Sequence, residues 1–198
     1  MRSMVRSGKE RGLAQETEGK FEEEWMRRSL RKVAIASLLA AVGVVIAPFV
    51  WFPFLATKAY PGQHMINAIT GVLLGPLWAA LVAVIVGVIR MSLGIGTIYS
   101  IPGGVPGALI VGIFAYLLEK VQLKRELAAF TEPIGTIFVG ATIAVYIFAP
   151  WLGHERMIGA LLPIYGAWAL SCVPGAILGF LVLEGLRHAG ITRESLRI

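Results

Sequence analysis

Residues 65–89, MINAITGVLLGPLWAALVAVIVGVI, form an apolar run of 25 residues interrupted once, at Gly75-Pro76. The run reads as one kinked helix or as two short ones, and the side of the membrane assigned to every later loop depends on which. Charge decides. With two helices the chain has six spans. Ten Lys/Arg near span ends then fall on the side of the N-terminus, against three (Lys58, Arg90 and Arg156) on the other side. A single helix gives six against seven. The excess of cations on cytoplasmic loops favours two short helices with both termini cytoplasmic. Glycine followed by proline also suits a helix stop and an immediate restart, because proline is tolerated at the first helical position.

The composition agrees with a bilayer setting. Of 198 residues, 57% are hydrophobic and 15% charged, and the mean hydropathy is +0.75. There is no Asp, and Asn67 is the one Asn. Hydrocarbon disfavours unpaired polar groups by several kcal/mol, which explains such scarcity. The net charge of +6 does not point to nucleic acid, since the cations sit at the ends of apolar runs rather than along one face. We expect an all-α integral membrane protein, a bundle of six transmembrane helices.

Three segments follow. Residues 1–32 hold nine Lys/Arg and six Glu and are expected to be a flexible or loosely helical tail, with Met26 marking a natural start and residues 1–25 an extension. Residues 33–186 are the membrane domain, and 187–198 a basic cytoplasmic tail. Within the domain the spans are expected at about 33–52, the two halves of 65–89, 103–118, 133–149 and 161–183. Phe54–Gly62 is read as a loop. Four pairs have small-xxx-small spacing: Ala36/Ala40, Gly71/Gly75, Ala108/Gly112 and Gly175/Gly179. Such pairs let helix backbones approach closely, either inside one bundle or against another subunit.

Catalytic signatures are missing. There is no G-x-x-x-x-G-K-[ST], and His154-Glu155 lacks the second His of a zinc protease helix. Nothing suggests a metal or a cofactor. With no Asp and few Glu expected in the interior, a proton relay is hard to build.

A polar set stands out instead. Gln63, His64 and Asn67 open the second span at i, i+1 and i+4 and share a face. Lys58 precedes them. Arg90 ends the third span, and Thr97 and Tyr99 lie in the Gly-rich loop after it. Tyr146, Trp151, Tyr165 and Trp168 gather near the outer ends of spans five and six, where an interfacial aromatic belt is the commoner explanation. Aromatic faces beside amide, imidazole and hydroxyl groups are also what a small heteroaromatic ligand needs.

These residues carry a resemblance. Lys58-x-x-Pro61-x-Gln63-His64-x-x-Asn67, Val72-Leu-Leu-Gly75-Pro76, Arg90, Gly94-x-Gly96-Thr97 and Pro102-Gly103 resemble the ThiW family of substrate-binding (S) components of energy-coupling factor (ECF) transporters. The match runs from Arg31 to Leu186. It implies a six-helix S component of a prokaryotic cytoplasmic membrane that takes up a thiamine precursor, hydroxyethylthiazole. It further implies docking on a transmembrane coupling subunit (T component) served by two ATPase subunits. Related S components dock through an Ala-x-x-x-Ala patch on the first helix, matched by Ala36 and Ala40. Two departures are the charged extension and Gly103-Gly104, where the family leads one to expect Gly-Ser. Thiamine, its pyrimidine half and an amino acid also fit such a pocket. The rival readings are a standalone transporter, a membrane enzyme using His64 or His154 as a base, and a structural assembly factor.

Overall fold

At the decisive break, Gly75 takes φ +89° and ψ 177°, a backbone region essentially open to glycine alone. Helix α2 (Pro61–Leu74) ends there and α3 (Pro76–Ser92) begins at the next residue. The run 65–89 is therefore two short helices reversing direction at one residue. The computed structural model describes the backbone of residues 2–54 and 57–198, and the side chains of residues 15, 18–52 and 59–198.

The remaining elements are α1 (Arg2–Ile46), a small antiparallel hairpin of β1 (Phe52–Phe54) and β2 (Thr57–Ala59), α4 (Ser100–Lys120), α5 (Arg125–Trp151) and α6 (Leu161–His188). The described chain is thus an all-α bundle of six helices carrying one hairpin. Four helices are long and apolar enough to cross a membrane, and the chain is a multi-pass membrane protein.

Several boundaries differ from expectation. The first helix stops at Ile46, two residues before Pro48, rather than at Phe52. Proline restricts the residue before it as well as itself, so the stop falls early. The expected loop 54–62 contains β2 and the start of α2. Helix α1 runs without a break from the charged stretch into the first span.

The packing is centred on α2. Its 14 residues are all buried except Met65, and it touches every other helix. At 1.5 Å per residue it is about 21 Å long, too short to cross a hydrocarbon core of roughly 30 Å. It need not cross alone, because α1, α3, α4, α5 and α6 surround it. Helix α1 presents a small-residue face, Ala36, Ala40 and Gly43, toward α2 and α3. All eight residues of the small-xxx-small pairs are buried in the chain. Ala36 and Ala40 are each 6% exposed and belong to the core. Their small size permits the close approach of α1 to α2 and α3. One tight crossing is α4 over the α2–α3 turn, where a Cβ on Gly112 would overlap backbone atoms of Gly75 and Pro76.

Helix α5 is irregular. It opens with a 3-10 turn over Arg125–Thr131 and widens into π turns over Ile134–Gly140 and Ala144–Phe148. Turns of that kind are uncommon and concentrate at functional sites. Here they follow the residue that organises the buried polar groups.

Candidate functional site

The polar face of α2 reaches one carboxylate. Glu132 on α5 is fully buried. Its Oε1 lies 2.7 Å from His64 Nδ1, and accepts from Asn67 Nδ2 at 3.1 Å and Thr136 Oγ1 at 2.9 Å. Its Oε2 has no partner. The network runs on toward the surface. Asn67 Nδ2 also donates to the Gly104 carbonyl at 3.1 Å, and Thr136 to that of Gly103 at 3.0 Å. Gln63 Nε2 donates to Asn67 Oδ1 at 3.2 Å, and Arg90 donates to Gln63 Oε1 at 3.1 Å. The Arg90 guanidinium lies over the Tyr60 ring, 4.1 Å from its centre, a geometry that favours a desolvated cation.

Above this network opens a cavity of about 560 Å³, within the range of small-molecule sites. Gln63, His64, Gly103 and Gly104 line it from α2 and α4. Arg90 and the loop 94–99 line it from one side, and Met157, Ile164, Trp168 and Ser171 from the other. The loop is held by two backbone N–H groups, of Ile95 and Gly96, donating to the Arg90 carbonyl. Ser171 Oγ accepts from the Tyr60 N–H at 2.8 Å, tying α6 to the start of α2. At the mouth, Tyr99 Oη meets His154 Nδ1 at 2.7 Å, joining the α3–α4 and α5–α6 loops.

Of the residues expected from the sequence, Gln63, His64, Arg90, Thr97, Tyr99 and Trp168 line this cavity. Asn67 lies beneath it, in the buried network. The others are elsewhere. Tyr146 and Trp151 are 59% and 75% exposed on the outer surface, as interfacial aromatics are. Tyr165 meets the Thr142 hydroxyl at 2.9 Å and packs edge-on against Phe138. The Lys58 side chain lies outside the described residues. Glu132 was not expected here. It stands next to Pro133, where the sequence reads as a helix start at the cytoplasmic edge. The apolar residues Leu127–Phe130 just before it are the signal that the helix begins earlier.

The arrangement defines His64 chemically. One ring nitrogen is occupied by Glu132, which fixes ring orientation. In the neutral tautomer that donates Nδ1–H to the carboxylate, Nε2 is an acceptor, and it has no partner among the described residues. The site thus offers an imidazole acceptor, an indole face and several hydroxyl and amide groups in a mainly apolar wall.

A polytopic helical bundle with a ligand-sized, polar-floored cavity between its helices is the build of a small-molecule membrane carrier. The chain belongs to the family described as thiamine-precursor transporter protein (ThiW), whose model matches residues 33–189. Curated proteins and solved structures gave no match.

Proposed function

We propose that the chain is the substrate-binding S component of an ECF-type importer in a prokaryotic cytoplasmic membrane, and that its ligand is hydroxyethylthiazole. A T component and two ATPase subunits supply the energy. The absence of a P-loop from the sequence is in keeping with that division of labour. The site consists of the cavity residues Gln63, His64, Arg90, Thr97, Tyr99 and Trp168, supported from below by Asn67 and Glu132.

The observation that carries the ligand class is the bared Nε2 of His64 beside the Trp168 face. A neutral heteroaromatic alcohol stacks on the indole and donates its hydroxyl to the imidazole. Charge separates the candidates further. No carboxylate lines the cavity among the described residues, and Arg90 does. Thiamine carries a permanent cation on its thiazolium ring and meets Arg90 unfavourably, whereas the free thiazole alcohol is uncharged.

Calorimetry on purified protein tests this. Hydroxyethylthiazole should bind the parent chain, and His64→Ala should weaken it by about tenfold to a hundredfold, the worth of one buried hydrogen bond left unmade. Arg90→Ala should weaken it less. The phosphate ester of the same alcohol should reverse that order. Unchanged affinity in His64→Ala, or tighter binding of thiamine or of the pyrimidine alcohol, overturns the ligand assignment.

Orientation has its own test. Both termini are proposed to face the cytoplasm and the cavity mouth the outside, as the ten-to-three charge asymmetry predicts. In a Cys172→Ser background, a cysteine at His154 should react with an impermeant reagent applied from outside, and one at Lys124 should not. The opposite labelling pattern rejects the topology.

A further inference from the structure

The far end of the bundle carries a second cavity, of about 530 Å³, away from the site described above. Arg27, Arg28 and Arg31 of α1 line it together with Arg193 and Arg197 of the C-terminal tail. The tail is folded to build it. Thr192 and Ser195 cap each other's backbone N–H groups with their hydroxyls, and the Leu196, Arg197 and Ile198 N–H groups close successive turns. Arg193 Nε donates to the Ile198 carbonyl at 3.1 Å. Arg197 takes φ +51°, the left-handed region that a non-glycine residue rarely occupies. Ile198 packs on the hydrophobic core and so anchors the turn.

Five arginines here meet two glutamates, Glu24 and Glu194. Both carboxylates are already engaged. Glu24 pairs with Arg28 at 2.7 Å. Hydrogen bonds within the tail, from its own backbone and from Thr192, hold the Glu194 carboxyl below the usual carboxylate range. Arg27 is taken by Glu23. The guanidinium groups of Arg31 and Arg197 have no hydrogen bond or ion pair among the described residues. Guanidinium groups without partners, converging from two chain segments, suit a phosphate, which accepts their forked N–H groups bidentately.

Depth identifies the source of that phosphate. Counting back about 20 residues from the end of α1 at Ile46, the length needed to cross the hydrocarbon core, reaches Arg27. The arginines therefore sit at headgroup level. On the helical wheel the mean direction of Arg27, Arg28 and Arg31 lies about 140° from that of Met26, Leu30 and Val33, which are 57%, 62% and 47% exposed. One side of α1 thus exposes apolar side chains from the headgroup level inward, while another presents cations at the level of the phosphates.

We infer that this cavity binds the phosphate-bearing headgroup of an anionic phospholipid of the leaflet that the chain termini face. Native mass spectrometry of the full chain in detergent tests it, using phosphatidylglycerol and phosphatidylcholine with the same acyl chains. The chain should retain phosphatidylglycerol preferentially. Arg197→Gln, an exposed change in the tail that leaves the bundle intact, should lower retention about fivefold. Arg31→Gln with Arg197→Gln should lower it about 25-fold, given the usual worth of a basic residue at an anionic surface. Lys120→Gln with Lys124→Gln removes the same charge elsewhere on that end and should change little. Equal retention of the two lipids, or equal losses in the two double variants, overturns the site. Full displacement of phosphatidylglycerol by millimolar glycerol phosphate overturns the lipid as its occupant and makes a soluble phosphate the ligand.

Discussion

Replacing Glu132 by leucine is expected to abolish measurable ligand binding and to cost about 3 kcal/mol of stability. Three groups converge on one oxygen of this carboxylate, from His64, Asn67 and Thr136. Leucine fills the space and accepts nothing, so His64 loses its partner, and Asn67 and Thr136 keep only the Gly104 and Gly103 carbonyls. His64 is then free to turn, and the acceptor it offers the cavity is no longer aimed. Glutamine should behave differently. Its carbonyl replaces Oε1, and its amide group takes the place of Oε2, which already lacks a partner. Glu132→Gln should therefore stay within about 1 kcal/mol of the parent and keep binding within roughly tenfold. Thermal unfolding in detergent, with calorimetry on the same samples, distinguishes the two variants. If glutamine is as damaging as leucine, the negative charge holds the cluster, not the placement of an acceptor.

The second large effect belongs to Gly112. A Cβ at this position would overlap the backbone of Gly75 and Pro76, and backbone cannot rotate out of the way as a side chain can. Gly112→Val must push α4 off the α2–α3 turn and open the crossing on which the cavity floor rests. The expected loss is about 3 kcal/mol, at the upper end for overpacking. Gly185, in the last turn of α6, is the control. A Cβ there meets nothing within 4 Å, so Gly185→Ala should be neutral or stabilise by up to about 1 kcal/mol. Melting temperatures and elution profiles of the two variants read this directly. Similar behaviour of both would mean that the α4 crossing is not tightly constrained.

Both predictions concern places where the sequence was informative to different degrees. The helices and their number could be read from hydropathy and from the sidedness of lysine and arginine, because lipid selects composition strongly. Gly75-Pro76 was legible as a turn for the same reason that it is one, since few residues reach its backbone conformation. The hairpin at 52–59 was not legible, because three-residue strands are too short to show alternation. The face formed by Gln63, His64 and Asn67 could be found from helical spacing alone. Its partner could not. Glu132 stands 65 residues from Asn67, and a glutamate before a proline resembles a helix start in any context. Tyr146, Trp151 and Tyr165 lie close in sequence to Trp168, and spacing along the chain does not reveal that they stand outside the cavity. Ala36 and Ala40 carried a similar ambiguity, since small residues look the same whether they meet a sister helix or another protein.

The central position of α2 has a consequence for biogenesis. The chain is made from its N-terminus, and α2 emerges before any of the elements that satisfy its polar face. The acceptor for His64 lies 68 residues further on. Until α5 has been synthesised, α2 has only α1, α3 and α4 to pack against, and His64 has no carboxylate to meet. Helix α2 must wait as half of a re-entrant hairpin with α3, or at the lipid–water boundary, and move inward when α5 and α6 arrive. Assembly of this bundle is therefore a late event governed by its C-terminal half. A ribosome stalled before α5 should leave the first three helices open to the quality-control proteases of the membrane.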